Sequence, residues 1–308
     1  MNKIFDSIII GAGPCGISSA INLKNKGFDV ILIEKSTPGG KINIAPQVDN
    51  YPHHTSVAGP DLAYEFYNRL IENKIEIISE EVVSVIKNEN VFEVKTNLNT
   101  YYSYTVILST GTKERKLGFP NEDRLLGHGI SYCALCDGHF FKNKDIIIIG
   151  GGNSALKEAI YLQKIVKHLT LIHRRNEFRG NEKLVNELRS FSNVTILTPY
   201  IPLEILEENQ KVVGLLIQNR EDNSILKLPA DGVFPLIGQI PNTEFIQNFP
   251  IFDEYHNCIV DKNMMTSVKG LYAGGDVTSR PIRQIYLAEY DGIRIAKSVE
   301  EYLKEIKL

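Results

Sequence analysis

The chain has 308 residues, 43% of them hydrophobic, and its 34 basic and 37 acidic side chains leave a net charge of −3. That length is enough for about two domains with real cores, and a charge this close to neutral gives no basic footprint for nucleic acid or an anionic membrane. No apolar run approaches the ~20 residues that span a bilayer, the first strand carries a needed motif too early for a cleaved leader, and four cysteines, only two of them close together, fit the cytosolic redox type. A cytoplasmic protein with neither membrane nor nucleic acid as partner is expected.

The first predicted elements are a strand, a glycine turn and a helix. Ser7 to Ile10 is an apolar, β-branched run that breaks into Gly11-Ala12-Gly13-Pro14-Cys15-Gly16, and a helical pattern follows from Ile17 to Lys24. In such a turn Gly11 makes the bend, Gly13 with Pro14 lets backbone approach a pyrophosphate at the helix N-terminus, and Gly16 packs helix on strand. The next strand, Asp29 to Ile33, ends in Glu34, 23 residues after Gly11 (34 − 11), where a carboxylate can accept from a ribose 2′-hydroxyl. This context marks a dinucleotide site, with Cys15 a small packing residue inside it. Pro38-Gly39-Gly40-Lys41 and Asp49-Asn50-Tyr51-Pro52 are turn-forming segments expected over the bound cofactor. A helix over 60–73 and alternating strands through Leu108 come next. They end in Ser109-Thr110-Gly111-Thr112, small residues that permit close approach of a ligand, although an ordinary turn reads the same.

Ser131-Tyr132-Cys133-Ala134-Leu135-Cys136-Asp137-Gly138 holds two thiols three positions apart. Such a pair can close into a small disulfide ring and exchange through a mixed disulfide, and Asp137 can give or take the proton that thiolate chemistry requires. The competing readings are half a zinc site with His128 and His139, or two structural thiols; a second Cys-x-x-Cys is missing, which weighs against zinc.

A second copy of the opening pattern begins at Asp145. Ile146 to Ile149 runs into Gly150-Gly151-Gly152-Asn153-Ser154-Ala155 and another helix. His173, again 23 residues after the first glycine (173 − 150), stands where the first copy has Glu34, and Arg174, Arg175 and Arg179 follow. Guanidinium groups there can pair with a 2′-phosphate, so this site should prefer NADPH over NADH; a solvated surface cluster is the plain alternative. Short strands with a hairpin near residues 221–224 lead to Gly232 to Gly238 and Pro241-Asn242-Thr243. Gly274-Gly275-Asp276 ends a further strand and precedes Arg283-Gln284 and a long amphipathic helix. Asp276 suits a ribityl hydroxyl or, alternatively, a helix N-cap, and Arg283 and Gln284 near a helix start suit a reduced flavin's negative charge. Phe119 and Phe234 read as core.

Two dinucleotide motifs and one dithiol imply an electron relay. A hydride donor and a disulfide need an intermediate able to exchange with both, and a flavin fills that role, which assigns FAD to the acid-bearing first site. With these motifs in hand, the chain resembles the low-molecular-weight thioredoxin reductases of bacteria over nearly its whole length. The likeness is carried by Gly11 to Gly16, Asp49 to Pro52, Ile130 to Gly138, Gly150 to Ala155, His173 to Arg179, Gly232 to Thr243, Gly274 to Asp276 and Arg283-Gln284.

The resemblance implies an α/β fold of two Rossmann-like, three-layer dinucleotide-binding domains. An NADPH domain at 116–246 would be inserted into an FAD domain made of 1–115 and 247–308. It also implies a homodimer, a large domain rotation, electron flow from NADPH through FAD and the Cys133/Cys136 pair to thioredoxin, and Asp137 as acid-base partner. Cys136 would lie next to the flavin and Cys133 would attack thioredoxin, with Phe140 and Phe141 either in the docking surface or in the core. Alternatives are a related flavoprotein with another donor, ferredoxin or reduced flavin, or another disulfide acceptor, and, in a different class, a flavin redox sensor without turnover. Two departures stand out. Lys41 replaces the family's usual glutamine, and Glu289-Tyr290 replaces small residues where a ring could pack against the isoalloxazine and obstruct nicotinamide.

Overall fold

The computed structural model describes residues 3–45, 47–52, 54–280 and 282–306. Two compact units divide the chain, one of Met1–Lys113 with Ile240–Leu308 and one of Glu114–Gln239. The crossings therefore fall at 113 and 239, two and seven residues before the expected 115 and 246. The return is early because Asn242 belongs to the first unit. Its amide N–H donates to Gly111 O at 3.0 Å, its side chain donates to Thr110 O at 2.9 Å, and its own carbonyl accepts from Thr110 Oγ1 at 2.7 Å.

The first unit is built on a seven-stranded sheet. Glu76–Ile78, Val30–Ile33, Ile4–Ile10, Thr100–Leu108 and Leu271–Ala273 run parallel, while Val82–Asn88 and Val91–Thr96 form an antiparallel hairpin. Thr100–Leu108 is shared: residues 100–103 pair with the hairpin and 106–108 with Leu271–Ala273. Ile9, Leu32, Ile107 and Tyr272 face the helices Pro14–Asn25, Gly59–Glu72 and Ile285–Ile306. Their neighbours Ile8, Ile10, Ile31, Ile33, Val106 and Leu108 face Val85 and Phe92 of the hairpin and Ile246 and Ile251 of the return segment. A strand covered on both sides needs no polar alternation, which is why Ser7 to Ile10 reads as a continuous apolar run.

The second unit repeats the plan. Val194–Leu197, His168–Ile172, Asp145–Ile149 and Gly232–Pro235 form a parallel sheet in that order. Ile146, Ile148, Leu169, Leu171 and Phe234 pack with the helices Asn153–Leu162 and Glu182–Arg189. On the opposite face Ile147, Ile149, Ile172 and Val233 meet an antiparallel meander of Tyr200–Glu208, Lys211–Asn219 and Ile225–Pro229. Both units therefore cover one face of a largely parallel sheet with helices; the other face meets a separate antiparallel meander in the second unit, and in the first the return segment and a hairpin that itself pairs into the sheet. Phe234 is fully buried, and Phe119 packs against the second unit's core.

The C-terminal helix reaches the fingerprint helix through a glycine. A Cβ on Gly292 would stand 2.5 Å from Cys15 O and 2.7 Å from Ser18 Cβ. Gly292→Ala should cost about 1–3 kcal/mol by overpacking, lowering the urea midpoint followed by far-ultraviolet circular dichroism. An unchanged midpoint would mean that the two helices can part freely.

Candidate functional site

At the first fingerprint, strand and helix are drawn together by missing side chains. Gly11 has φ +99° and a Cβ on it would lie 2.6 Å from Ser109 O, while one on Gly16 would lie 2.0 Å from Gly11 O. Ser109 Oγ donates to the Ile10 and Gly11 carbonyls at 2.9 and 2.8 Å. Gly13 precedes the helix in an extended conformation and Pro14 opens it, a position where its missing N–H costs nothing. Glu34 closes the next strand. Its Oε2 accepts from Ala12 N at 2.7 Å, and its Oε1 accepts from Ser36 N and Oγ at 2.9 and 3.0 Å. Two carboxyl oxygens retain capacity for further donors.

A cleft of about 410 Å³ runs along this turn, entirely within the first unit. Gly11, Gly13, Pro14, Glu34, Gly40, Lys41, Thr110, Gly111, Gly275, Asp276, Arg283 and Gln284, all expected at the site, line it. Asp276 lies inside a single 3-10 turn capped by Gly274, so it is not an N-cap. Gly16 does not line the cleft and serves the packing just described. Asn50 also lies off the lining and donates to Gln284 Oε1 at 2.7 Å, fixing a residue that does line it. Asn242 is a lining residue that sequence reasoning missed, since only its long-range bonds to Thr110 and Gly111 bring it there.

Glu289 and Tyr290 are not part of this lining, which takes Ile285 and Ala288 from the same helix. The Glu289 carboxylate accepts from Tyr51 Oη and pairs with Arg69 Nη1, both at 2.9 Å. Burial and the Glu289 carboxylate push the Tyr51 phenol up to about 12. Tyr290 is 57% exposed, with the Arg294 guanidinium 5.9 Å from its ring centre. Helical spacing turns Tyr290 away from the face that Ile285 and Ala288 present to the cleft, whereas Glu289 shares that face and is drawn off by Tyr51 and Arg69.

In the second unit Cys133 and Cys136 are joined as a disulfide with Cα atoms 5.3 Å apart, which removes the zinc reading of their thiols. Cys133 caps the short helix Ala134–Asp137, its sulfur accepting from Cys136 N at 3.1 Å. Ser131 Oγ donates to Asp137 Oδ2 at 2.6 Å and accepts from Cys133 N at 3.1 Å. One hydroxyl thus orients both the acid and the first cysteine. Tyr132 Oη donates to the buried Glu122 carboxylate, which also accepts from Leu117 N and Gly118 N at 2.8 and 2.7 Å. Phe140 is 63% exposed beside the pair, whereas Phe141 is buried edge-on against Phe234.

The second fingerprint is shaped the same way. A Cβ on Gly150 would meet Leu236 O at 2.5 Å and Ala155 Cβ at 2.7 Å, whereas Gly152 faces open space. Asn153 and Ser154 start the helix and are exposed. His173 sits beneath Gly151, where a Cβ would lie 2.2 Å from its Nδ1. It is 7% exposed, donates through Nε2 to Glu177 O at 3.1 Å and stacks on Phe178. Burial, and then Arg174, Arg175 and Arg179, hold its pKa below the usual value against the bond to Glu177 O. The three arginines are exposed on a loop tied back to the fingerprint by Gly180 N to Gly151 O at 3.0 Å and Asn181 N to Asn153 Oδ1 at 2.7 Å. Arg220 Nη1 donates to Arg174 O at 3.1 Å from the meander.

Two dinucleotide folds, one carrying a disulfide, define a pyridine nucleotide-disulphide oxidoreductase, and the family of that description matches residues 5–292. The thioredoxin reductase of Mycoplasma pneumoniae is 39% identical over 302 residues, covering 97% of this chain and 96% of its own. Among solved structures, thioredoxin reductase from Lactococcus lactis aligns with a TM-score of 0.83 at 30% identity, covering 98% of this chain and 99% of its own. That from T. acidophilum aligns at 0.79 and 35%, covering 99% and 100%. The chain belongs to this oxidoreductase family and, within it, to the thioredoxin reductases. FAD and a nicotinamide dinucleotide are the cofactors of the family, and the cradle at Gly11, where a side chain would collide with backbone, fits the close approach that a pyrophosphate needs. Glu34→Ala should weaken FAD binding about tenfold to a hundredfold, the equivalent of about 1–3 kcal/mol. Release of free flavin fluorescence on dilution reads this, and undiminished retention would remove Glu34 from the site.

Proposed function

We propose that the chain is an NADPH-dependent reductase of thioredoxin disulfide, acting as a homodimer in a reducing compartment, the cytoplasm. The observation that carries the reading is the Cys133–Cys136 disulfide beside a hydroxyl-oriented Asp137, in the same unit as a fingerprint overhung by three arginines. FAD, when bound, supplies the two-electron link between a nicotinamide hydride and a disulfide. Gly11, Gly13 and Pro14 would receive its pyrophosphate, Glu34 its ribose, and Asp276 its ribityl chain. Gly40, Lys41, Thr110, Gly111, Gly275, Arg283 and Gln284 would line the remainder, with Asn50 behind Gln284.

For the nicotinamide dinucleotide, Gly150, Gly152, Asn153 and Ser154 would receive the pyrophosphate, and Arg174, Arg175 and Arg179 a 2′-phosphate. His173 serves as the buried floor that holds the arginine loop in place. Its neutral imidazole adds no charge of its own. The loop's two ties to the fingerprint favour NADPH over a donor without that phosphate.

In the dithiol step, the Cys133 thiolate attacks one sulfur of the thioredoxin disulfide. The bond between the two thioredoxin sulfurs breaks and a mixed disulfide forms. Cys136 then attacks Cys133 Sγ, restoring the Cys133–Cys136 bond and releasing a thioredoxin dithiol that has gained two electrons. Asp137, held by Ser131, gives and takes the proton. The exposed Phe140 offers a ring to the incoming partner, whereas Phe141 belongs to the core. Support for a homodimer comes from Tyr286, Tyr290 and Ile293, which stand exposed at i, i+4 and i+7 of the C-terminal helix. Among the described residues no helix is long and apolar enough to cross a membrane.

Cys136→Ser should leave flavin bleaching by NADPH intact in anaerobic stopped flow. It should lower thioredoxin turnover by about a thousandfold or more, the scale expected for loss of a nucleophile. Normal turnover would refute the dithiol's role. Replacing both Arg174 and Arg175 by alanine should raise KM for NADPH about tenfold to a hundredfold and KM for NADH by less than about threefold, because only the phosphate forms charge-assisted bonds. Equal effects on the two donors would overturn the 2′-phosphate assignment.

A further inference from the structure

Beside the dithiol lies a carboxyl group to which the steps above give no task. Glu158 stands on the fingerprint helix Asn153–Leu162. Its Oε2 accepts at 3.1 Å from the amide of Ala134, the peptide N–H immediately after Cys133. The same helix supports the turn a second time further along, since a Cβ on Gly138 would approach Leu162 Cδ2 to 2.6 Å and Tyr161 Cε1 to 3.5 Å. The dithiol segment is therefore seated along the helix at both its ends, and Glu158 supplies the polar half of that seat.

Glu158 is half-buried. Burial pushes its carboxyl up to about 7, with the Ala134 bond opposing and Glu114 adding to the rise. Glu114, on the strand Thr112–Glu114, is held by Gln239 Nε2 at 3.0 Å. Asp137, in the turn, is held by Ser131, and Lys157, next to Glu158 on its own helix, is exposed. When the disulfide opens, a sulfur of the same turn gains negative charge. Two anions in so small a space favour protonation of one of them.

We propose that Glu158 is a positioning residue of the dithiol that takes up a proton when the Cys133–Cys136 disulfide is reduced. The inference rests on the reading that this pair cycles during turnover. The disulfide accepts two electrons and one proton to become a thiolate and a thiol, and the Glu158 carboxylate accepts one further proton to become a carboxylic acid. Oxidation of the dithiol by an acceptor disulfide returns that proton. Electrons come from the nicotinamide in turnover and from dithiothreitol in the test below.

The equilibrium between the flavin-loaded protein and dithiothreitol tests the proposal, with thiols read by alkylation and mass shift from about pH 6 to about pH 8.5, a window centred near the carboxyl's raised value. Glu158→Gln serves as the comparison, because its amide oxygen can still accept from Ala134. The reduced form binds the extra proton, so falling pH must favour the dithiol. Each unit by which reduction raises the Glu158 pKa gives a factor of ~10, and across the window the native equilibrium should shift about threefold to tenfold more than that of the variant. Parallel profiles would overturn the proposal.

The native protein supplies a second measurement. Its reduction-minus-oxidation infrared spectrum should contain a protonated-carboxyl band that shifts with carbon-13 glutamate, a label that Asp137 does not carry. Absence of that shifted band would also overturn it. If native protein and NADPH failed to reduce thioredoxin, the functional reading would fall, while the dithiothreitol equilibrium would still decide the role of Glu158.

Discussion

The first unit depends on the contact between Gly16 and the Gly11 carbonyl. A Cβ at Gly16 would lie 2.0 Å from that oxygen, so any other residue would push the fingerprint helix away from the strand. The consequences spread from this point. With the helix seated, Ala12 N–H meets Glu34, Gly39 N donates to Ala12 O at 2.7 Å, and Ser109 closes over Gly11 O. Cys15 is then enclosed against Gly274 and Gly292. Its thiol, pushed far above the usual range first by burial and then by Asp291, is inert packing. The second unit solves the same problem with Ala155 as the small residue, whose Cβ leaves no room for one on Gly150. One steric rule thus sets up two helix N-termini that can face anions.

The dithiol follows a different logic, in which polar groups hold a tight turn from several sides. Ser131 ties Cys133 N to Asp137, Glu122 holds Tyr132 through a buried carboxylate, and Glu158 meets Ala134 N. These bonds come from a loop, from the turn itself and from the fingerprint helix. Such anchoring leaves the two sulfur atoms as the part of the segment whose bonding can change. It also ties the thiol turn to the helix that begins at Asn153, through Glu158.

What could be read from the sequence was what repeats with a short period. The apolar runs at Ser7 to Ile10 and Ile146 to Ile149 lie on strands, the glycine turns join those strands to helices, and the residues 23 positions after each first glycine directly follow the next strand. Contacts that join distant segments left no such trace. Asn242 completes the first cleft through two bonds to Thr110, 132 positions away, and Asp291 accepts from Gly275 N while pairing with Arg280. The placement of Glu289 is a related case. Position along the helix was visible, but the partners Tyr51 and Arg69, which turn Glu289 aside, lie more than two hundred residues earlier. Phe140 and Phe141 were inseparable by type, and only the packing of Phe234 distinguishes them.

The matched positions Glu34 and His173 place charge differently on the same scaffold. At Glu34 the charge is carried by the residue itself, anchored through one oxygen by Ala12 N. At His173 an anchored charge would be a liability, since a buried imidazolium beneath three guanidinium groups would be opposed both by desolvation and by repulsion. The histidine therefore stays neutral, and the charge stands outward on the exposed Arg174, Arg175 and Arg179. On the proposed 2′-phosphate reading, selectivity at this second position belongs to the exposed guanidinium groups, and the buried ring beneath them fixes only where they begin.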